Sequence, residues 1–131
     1  MAHRKINLLI VSSKDGSAIK QTLQDAGVKD TLSQASDKDA VMGSLSQSPK
    51  PNLILLDMTG QDLFAVLREL KSNAEARKIP VVVLATAPDT EKSYELGASS
   101  FILRPPNSAD LARALSLFKK YWYDIVEIPA V

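Results

Sequence analysis

The chain has 131 residues, of which 45% are hydrophobic and 24% charged, with a formal net charge of +1 and no cysteine. This size and balance are typical of one folded domain, so we predict a single domain over residues 1–131. The near-zero charge argues against binding to nucleic acid or to a membrane surface, and the lack of cysteine excludes disulfides and thiolate chemistry. Without a membrane-spanning run or a signal-peptide core, we expect a cytoplasmic protein.

Along the chain, apolar runs alternate with amphipathic stretches. The predicted strands are 6–11, 31–35, 52–57, 81–84 and 99–103. Five helices are predicted between and after these strands. The first follows the turn 12–17 and ends at Gly27, and the second begins with a cap at Ser36 or Asp37 and ends before Pro49. The others are predicted around 63–70, over 89–96 and from Ser108 to about Val126. Because parallel strands need helical crossovers, this alternation predicts an α/β fold with a doubly wound five-stranded parallel sheet. The short and partly polar second strand is expected at an edge.

The third run, 52–57, has the apolar pattern of a strand buried on both faces, and it ends in Asp57. Open α/β sheets place their chemistry at the carboxyl ends of central strands. Asp57 is therefore the leading candidate for a functional group. The alternative is that Asp57 is only a turn or helix-capping residue.

Four stretches in order, 51–57, 79–84, 93–98 and 101–105, resemble the motifs of the CheY-like receiver domains of two-component response regulators. The segment 93–97 and the aromatic extension at 121–131 resemble small regulators that partner phytochrome-type histidine kinases. This resemblance implies a flavodoxin-like sheet of order 2-1-3-4-5 and a non-enzymatic role in phosphorelay signal transduction through protein–protein contacts. It also implies that a sensor histidine kinase or another signalling protein is the partner, and that Asp57 is the phosphoacceptor.

The resemblance further implies Mg²⁺ held by the aspartate and an acidic pair after the first strand, plus a hydroxyl after the fourth strand and a lysine before the fifth-strand proline. Here Ser12 and Ser13 replace the acidic pair, and Ala85 replaces the hydroxyl, with Thr86 one position too late. Arg104 replaces the lysine. The pocket is thus predicted to be degenerate.

These departures predict that no cofactor is bound, apart from weak Mg²⁺ binding at Asp57. Arg104 is expected to contact the Asp57 carboxylate and to stand in for the missing cation, the alternative being a solvated arginine. Asp15 is expected on the surface at a helix start, although a gap in the alignment would bring it into the pocket.

Two other functions remain open. One is a pseudo-receiver that binds partners whatever its phosphorylation state; because no output domain is evident in the sequence, any effect is expected to pass through a partner. The more remote one is a flavodoxin-like FMN binder, since the loop 12–17 combines hydroxyls and a glycine before a helix. An enzyme is not expected, because the sequence offers no catalytic histidine or cysteine and no metal cluster.

The last helix carries an apolar stripe and a second stripe beside it. The first comprises Leu111, Leu115, Phe118, Trp122 and Ile125, and the second Ala114, Leu117 and Tyr121. A helix over 108–126 would be about 27 Å long, so its last turns should overhang the sheet and expose Tyr121, Trp122 and Tyr123. We therefore predict an interface at Leu115, Phe118, Tyr121 and Trp122, and the resemblance favours a homodimer. Alternatively, the tail 127–131 folds back over the aromatic residues.

Overall fold

The computed structural model describes residues 5–128, which form a parallel five-stranded sheet of order β2-β1-β3-β4-β5. The strands are β1 (Leu8–Ser12), β2 (Leu32–Ala35), β3 (Leu53–Asp57), β4 (Val81–Ala85) and β5 (Ser100–Leu103). The predicted fold class, strand order and edge position of the second strand are confirmed. The central strands β1, β3 and β4 are the apolar runs, because each is covered by helices on both faces.

The helices lie in two layers around this sheet. They are α1 (Gly16–Asp25), α2 (Lys38–Ser44), α3 (Gly60–Ser72), α4 (Thr90–Glu95) and α5 (Ser108–Lys119), with 3₁₀ turns at Ala76–Lys78 and Ala87–Asp89. One apolar core lies between the sheet and α2, α3 and α4, and a second lies between the sheet and α1 and α5. Across residues 5–128, none of the helices is both long and apolar enough to span a membrane.

Local sequence signals account for the ends of several helices. The Asp37 side chain accepts a hydrogen bond of 2.8 Å from the Ala40 backbone N–H, so Asp37 rather than Ser36 is the cap of α2. Gly27 follows α1 with a φ of 104°, a conformation that favours glycine. Asn107 caps α5 by accepting from the Asp110 N–H at 2.8 Å.

The C-terminal helix does not continue as a regular α-helix to Val126. After α5 the chain makes a π-helical turn over Lys120–Ile125, in which the Val126 N–H donates to the Tyr121 carbonyl at 2.9 Å. This wider turn shifts the inward-facing position by one residue. Val126 therefore packs against the core, whereas Ile125, which the predicted stripe placed with Trp122, is 65% exposed.

The predicted exposure of the aromatic cluster is wrong for two of its three residues. Trp122 and Tyr123 are buried at 8% and 6% exposure, in the same core as Ile128, whereas Tyr121 is half-exposed. The tail follows the alternative as far as Ile128, and residues 129–131 lie outside the described part of the chain.

Two further members of the predicted interface are also core residues. Leu115 and Phe118 are fully buried between α5 and the sheet. A buried side chain cannot meet a partner unless the helix moves, so of the four predicted interface residues only Tyr121 remains available.

Candidate functional site

Strand register brings Ser12 and Asp57 together. In the parallel pairing of β1 with β3, Ser12 is the residue opposite Asp57, at the last position of both strands. The two residues continue the alternation of Ile10 and Leu55, whose side chains face α1 and α5. The serine that replaces the first acid of the family pattern therefore lies directly beside the candidate phosphoacceptor.

The Ser12 hydroxyl connects Asp57 to the loop before α1. Its Oγ donates to Asp57 Oδ2 at 3.0 Å and accepts from the backbone N–H groups of Asp15, at 2.9 Å, and Lys14, at 3.3 Å. A serine hydroxyl offers one donor and two acceptor sites, so these three bonds use its full capacity. The loop is thereby held in one shape around the buried hydroxyl.

Arg104 lies across the carboxylate of Asp57. Its Nε donates to Asp57 Oδ1 at 2.8 Å, and its Nη2 lies 3.4 Å from Asp57 Oδ2. The Asp57 side chain is 9% exposed and that of Arg104 is 25% exposed. The hydrogen bond to Asp57 is the main reason why the pKa of Arg104 is raised; partial burial opposes this shift, and the charges of Asp57 and Asp15 reinforce it. The predicted contact between Arg104 and Asp57 is present in the structure.

Asp15 lies at the start of α1, as expected, and its side chain also reaches the pocket, which was the alternative. Its Oδ2 accepts from Arg104 Nη2 at 2.8 Å, and its side chain is 48% exposed. No spacing rule relates Asp15 to Arg104, because the two residues are 89 positions apart in the chain. The available signal was the guanidinium of Arg104, whose five N–H donors are more than one carboxylate can use.

The other replaced positions are not brought to the same place. Ser13 is exposed and lines the cavity beside Asp57. Ala85 is fully buried at the end of β4, and Thr86 is exposed beyond it. Within residues 5–128, neither of the latter two lines the cavity, so β4 contributes no hydroxyl to the site.

The cavity at this edge of the sheet has a volume of about 320 Å³. Its lining residues are Ser12, Ser13, Lys14, Asp15, Asp57, Met58, Thr59, Asp62 and Arg104. They carry three carboxylates and two cationic groups, so the lining has a formal charge of −1 when all of them are ionised.

A divalent metal ion does not fit this arrangement of side chains. A magnesium site needs oxygen ligands in near-octahedral geometry. Here the guanidinium of Arg104 lies between the carboxylates of Asp15 and Asp57, at 2.8 Å from each, and the hydroxyl of Ser12 already has its partners. A cation would have to displace Arg104 before it could contact both carboxylates.

Sequence reasoning also missed the role of Asp89. Its Oδ2 accepts from the backbone N–H of Gly60 at 3.0 Å, and Gly60 is the first residue of α3, with a φ of 58°. The 3₁₀ turn after β4 is thus tied to the start of the helix that follows Asp57. The short connection after Asp57 is the signal for this contact, because α3 begins only three residues after the aspartate.

Comparison with known proteins identifies the family. No protein-family model matches the chain. The response regulator Rcp1 of Synechocystis is 34% identical over 138 residues, which cover 96% of this chain and 94% of Rcp1. The chain belongs to the response-regulator receiver family. A rice two-component response regulator, ORR6, is 26% identical over 88% of this chain and 72% of its own length.

Solved receiver structures agree with this assignment. The Mn²⁺-bound form of Rcp1 has a TM-score of 0.79 at 31% identity, covering 95% of this chain and 99% of that one. The phosphorylated cyanobacterial phytochrome response regulator RcpA has a TM-score of 0.83 at 25% identity, covering 97% of this chain and all of RcpA. The chain is therefore a response regulator of two-component signalling, and this function takes the place of the remote alternative of an FMN binder.

Proposed function

We propose that Asp57 accepts a phosphoryl group from a phosphohistidine of a sensor histidine kinase, and that Arg104 supplies positive charge at the reacting carboxylate. The position of the Asp57 carboxylate, at the end of the central strand β3 and in contact with Arg104, carries this proposal. In the proposed step a carboxylate oxygen of Asp57 bonds to phosphorus as the P–N bond breaks. The imidazole nitrogen keeps the electron pair, and the product is an acyl phosphate.

In this step the positive charge of Arg104 would offset the negative charge of the phosphoryl oxygens. Phosphoryl transfer relies mainly on positioning and on neutralising charge at the phosphoryl oxygens. Ser12 and Ser13 are neutral and Ala85 has no polar atom, so the chain's own contribution to neutralisation comes from Arg104 and from the exposed Lys14. We therefore expect slow phosphorylation and weak Mg²⁺ binding, because the guanidinium occupies the position between the carboxylates.

The proposed kinase is of the phytochrome type. This proposal rests on the similarity to RcpA, which is described as a phytochrome response regulator, over nearly the whole length of both chains. A phosphohistidine donor is made with ATP, so we also propose that the protein acts in the cytoplasm. It acts there by contact with partners rather than by catalysis.

One observation favours the alternative of a phosphorylation-independent pseudo-receiver. Both oxygens of Asp57 already accept hydrogen bonds, Oδ1 from Arg104 and Oδ2 from Ser12. A carboxylate engaged in this way is less nucleophilic than a free one, because the bonds stabilise its charged ground state.

Incubation with phosphoramidate, with and without Mg²⁺, tests the proposal. Intact-mass measurement should show one added phosphoryl group on the wild-type chain and none on Asp57→Asn, and Mg²⁺ should change the rate by less than about threefold. A chain that gains no phosphoryl group from the donor or from a phosphorylated phytochrome-type kinase would favour the pseudo-receiver. Strong acceleration by Mg²⁺ would contradict the proposed role of Arg104.

We also propose that the protein forms a homodimer through the outer face of the C-terminal helix. This face exposes Leu117, Tyr121 and Ile125 at 63%, 51% and 65%. Exposed apolar residues grouped on one helix face are typical of an interface.

Sedimentation velocity of the intact chain tests this interface. Tyr121→Ser should lower the dimer fraction, whereas Tyr94→Ser, which removes a similarly exposed tyrosine from α4 (49%), is the matched control. Trp122→Ser is unsuitable because Trp122 is buried. A wild-type chain that stays monomeric at high micromolar concentration would exclude self-association.

A further inference from the structure

Arg104 has two carboxylate partners, and only Asp57 is the proposed phosphoacceptor. The second, Asp15, takes the shorter of the two bonds from Nη2, at 2.8 Å against 3.4 Å for Asp57 Oδ2. Within the described chain these are the carboxylates that Arg104 contacts. The outer nitrogen of the guanidinium is thus directed mainly toward Asp15.

The backbone of Asp15 is held in place independently of its side chain. Its N–H donates to Ser12 Oγ at 2.9 Å, and its carbonyl accepts from the Ile19 N–H at 2.9 Å. Although Asp15 is the residue before α1, its side chain makes no capping hydrogen bond to that helix. An aspartate at this position usually accepts a hydrogen bond from a backbone N–H in the first turn of the helix. The Asp15 carboxylate instead accepts a hydrogen bond from Arg104.

We infer that Asp15 is a positioning residue: an internal anion that occupies the guanidinium edge of Arg104 which an incoming phosphoryl oxyanion needs. This inference rests on the proposed function, because it identifies the competing ligand as a phosphoryl group. A guanidinium binds carboxylate and phosphoryl oxygens with the same N–H donors and in the same geometry. Asp15 and the phosphoryl group therefore compete for Nη2, and the site stays closed until Asp15 releases it.

The matched control for this competition is Asp62. Asp15 and Asp62 both line the cavity, so replacing either by asparagine removes one negative charge from the same space. Asp62 forms no ion pair with Arg104 in the described chain. A general electrostatic gain in anion affinity should appear in both variants, whereas release of the guanidinium should appear only in Asp15→Asn.

The test uses the full-length chain and inorganic phosphate as the probe. Titration is followed by the NMR signal of the Arg104 Nε–H, and phosphorylation by phosphoramidate is followed by intact mass. We expect phosphate affinity and phosphorylation rate to rise about fivefold or more in Asp15→Asn and less than about twofold in Asp62→Asn. Asp15→Glu, which restores a carboxylate, should return both quantities toward the wild-type values. Asp15→Ser serves as a second variant if the asparagine chain does not fold.

The outcomes separate this inference from the proposed function. Equal gains in Asp15→Asn and Asp62→Asn, or no gain in either, would overturn the inference even if Asp57 is phosphorylated in all chains. A gain in phosphate affinity confined to Asp15→Asn would support the inference, and it would do so even if no chain were phosphorylated and the proposed function failed. Faster exchange of the Arg104 Nε–H with water in Asp15→Asn alone would support it further, because a purely structural role of Asp15 at α1 would not loosen Arg104.

Discussion

The two ends of the sheet are closed by different physical means. At the carboxyl end, a small set of directional bonds joins Asp57 to Ser12 and Arg104, and Arg104 to Asp15. At the amino end, α5 and the π-helical turn after it bring Trp122, Tyr123 and Ile128 into one apolar core with the strand β1. Ion pairs and hydrogen bonds hold the carboxyl end together, whereas the burial of apolar side chains stabilises the amino end.

This difference explains why chemistry can vary at one end and not at the other. A bond network of three ionised groups tolerates a change of partner, as when an arginine stands where the family pattern has a lysine, provided that every buried charge keeps a counter-charge. An apolar core tolerates little loss of volume, because a cavity costs stability whatever group lined it. Variants at the two ends should therefore differ in both the size and the pH dependence of their effects.

The largest expected effect is at the amino end. Trp122→Ala should lower the free energy of unfolding by about 3–5 kcal/mol, because it removes a large buried side chain from the core. Denaturant unfolding measures this, with Tyr121→Ala, the neighbouring but exposed aromatic, as the control expected to cost less than about 1 kcal/mol. Equal losses for the two variants would mean that Trp122 is not part of the core.

An intermediate effect is expected for Arg104→Ala. At pH 7 it should cost about 2–3 kcal/mol, because it leaves the nearly buried Asp57 carboxylate without its cation. An arginine is charged at every acid and neutral pH, so any pH dependence of this loss must come from the groups that Arg104 pairs with. An ion pair needs both of its charges, and carboxylic acids in general are neutral in strong acid. The difference between wild type and variant should therefore be smaller in acid than at pH 7.

Unfolding midpoints at pH 7 and at about pH 3 check this expectation. The control is Arg113→Ala, which removes a 76% exposed arginine that, within residues 5–128, pairs with Asp110 of its own helix and should change stability by less than about 0.5 kcal/mol. A loss for Arg104→Ala that is the same at both pH values would show that the pair with Asp57 contributes nothing.

The smallest effect at neutral pH is expected for Tyr123→Phe. The Tyr123 hydroxyl is buried and has no hydrogen-bond partner within residues 5–128, so its removal should change stability by less than about 1 kcal/mol or raise it slightly. Burial, with a smaller contribution from the charge of Asp30, raises the pKa of Tyr123 above its ordinary value. The difference between the variants should therefore appear in alkaline solution.

The direction follows from proton binding in the two states. The unfolded chain loses the tyrosine proton near pH 10, whereas the folded chain keeps it to higher pH. Above about pH 10 the unfolded state binds fewer protons, so Tyr123 lowers wild-type stability by up to about 1.4 kcal/mol per pH unit there, and not below. Unfolding at pH 8 and pH 11 should show a smaller alkaline loss in Tyr123→Phe than in wild type; identical losses would place the hydroxyl in water.

Features that depend on neighbouring residues could be read from the sequence. The apolar runs predicted the strands, and Asp37 and Gly27 marked helix ends, because burial on a strand and capping of a helix involve residues a few positions apart. The contact of Arg104 with Asp57 could also be expected, since the resemblance placed both at one edge of the sheet and a buried carboxylate needs a counter-charge.

Only the tertiary structure decided the features that depend on the length of a side chain or on the exact number of residues per helical turn. Asp15 joins the site because the guanidinium of Arg104 is long enough to bridge two carboxylates from different loops, which no sequence spacing encodes. Val126 rather than Ile125 faces the core because one π-helical turn changes the helical phase after Trp122, and periodicity read at 3.6 residues per turn cannot anticipate that change. The sequence by itself determined the sheet and the anchor residue Asp57, since both follow from local burial. The partners of that residue and the face of the last helix depend on contacts between distant parts of the chain.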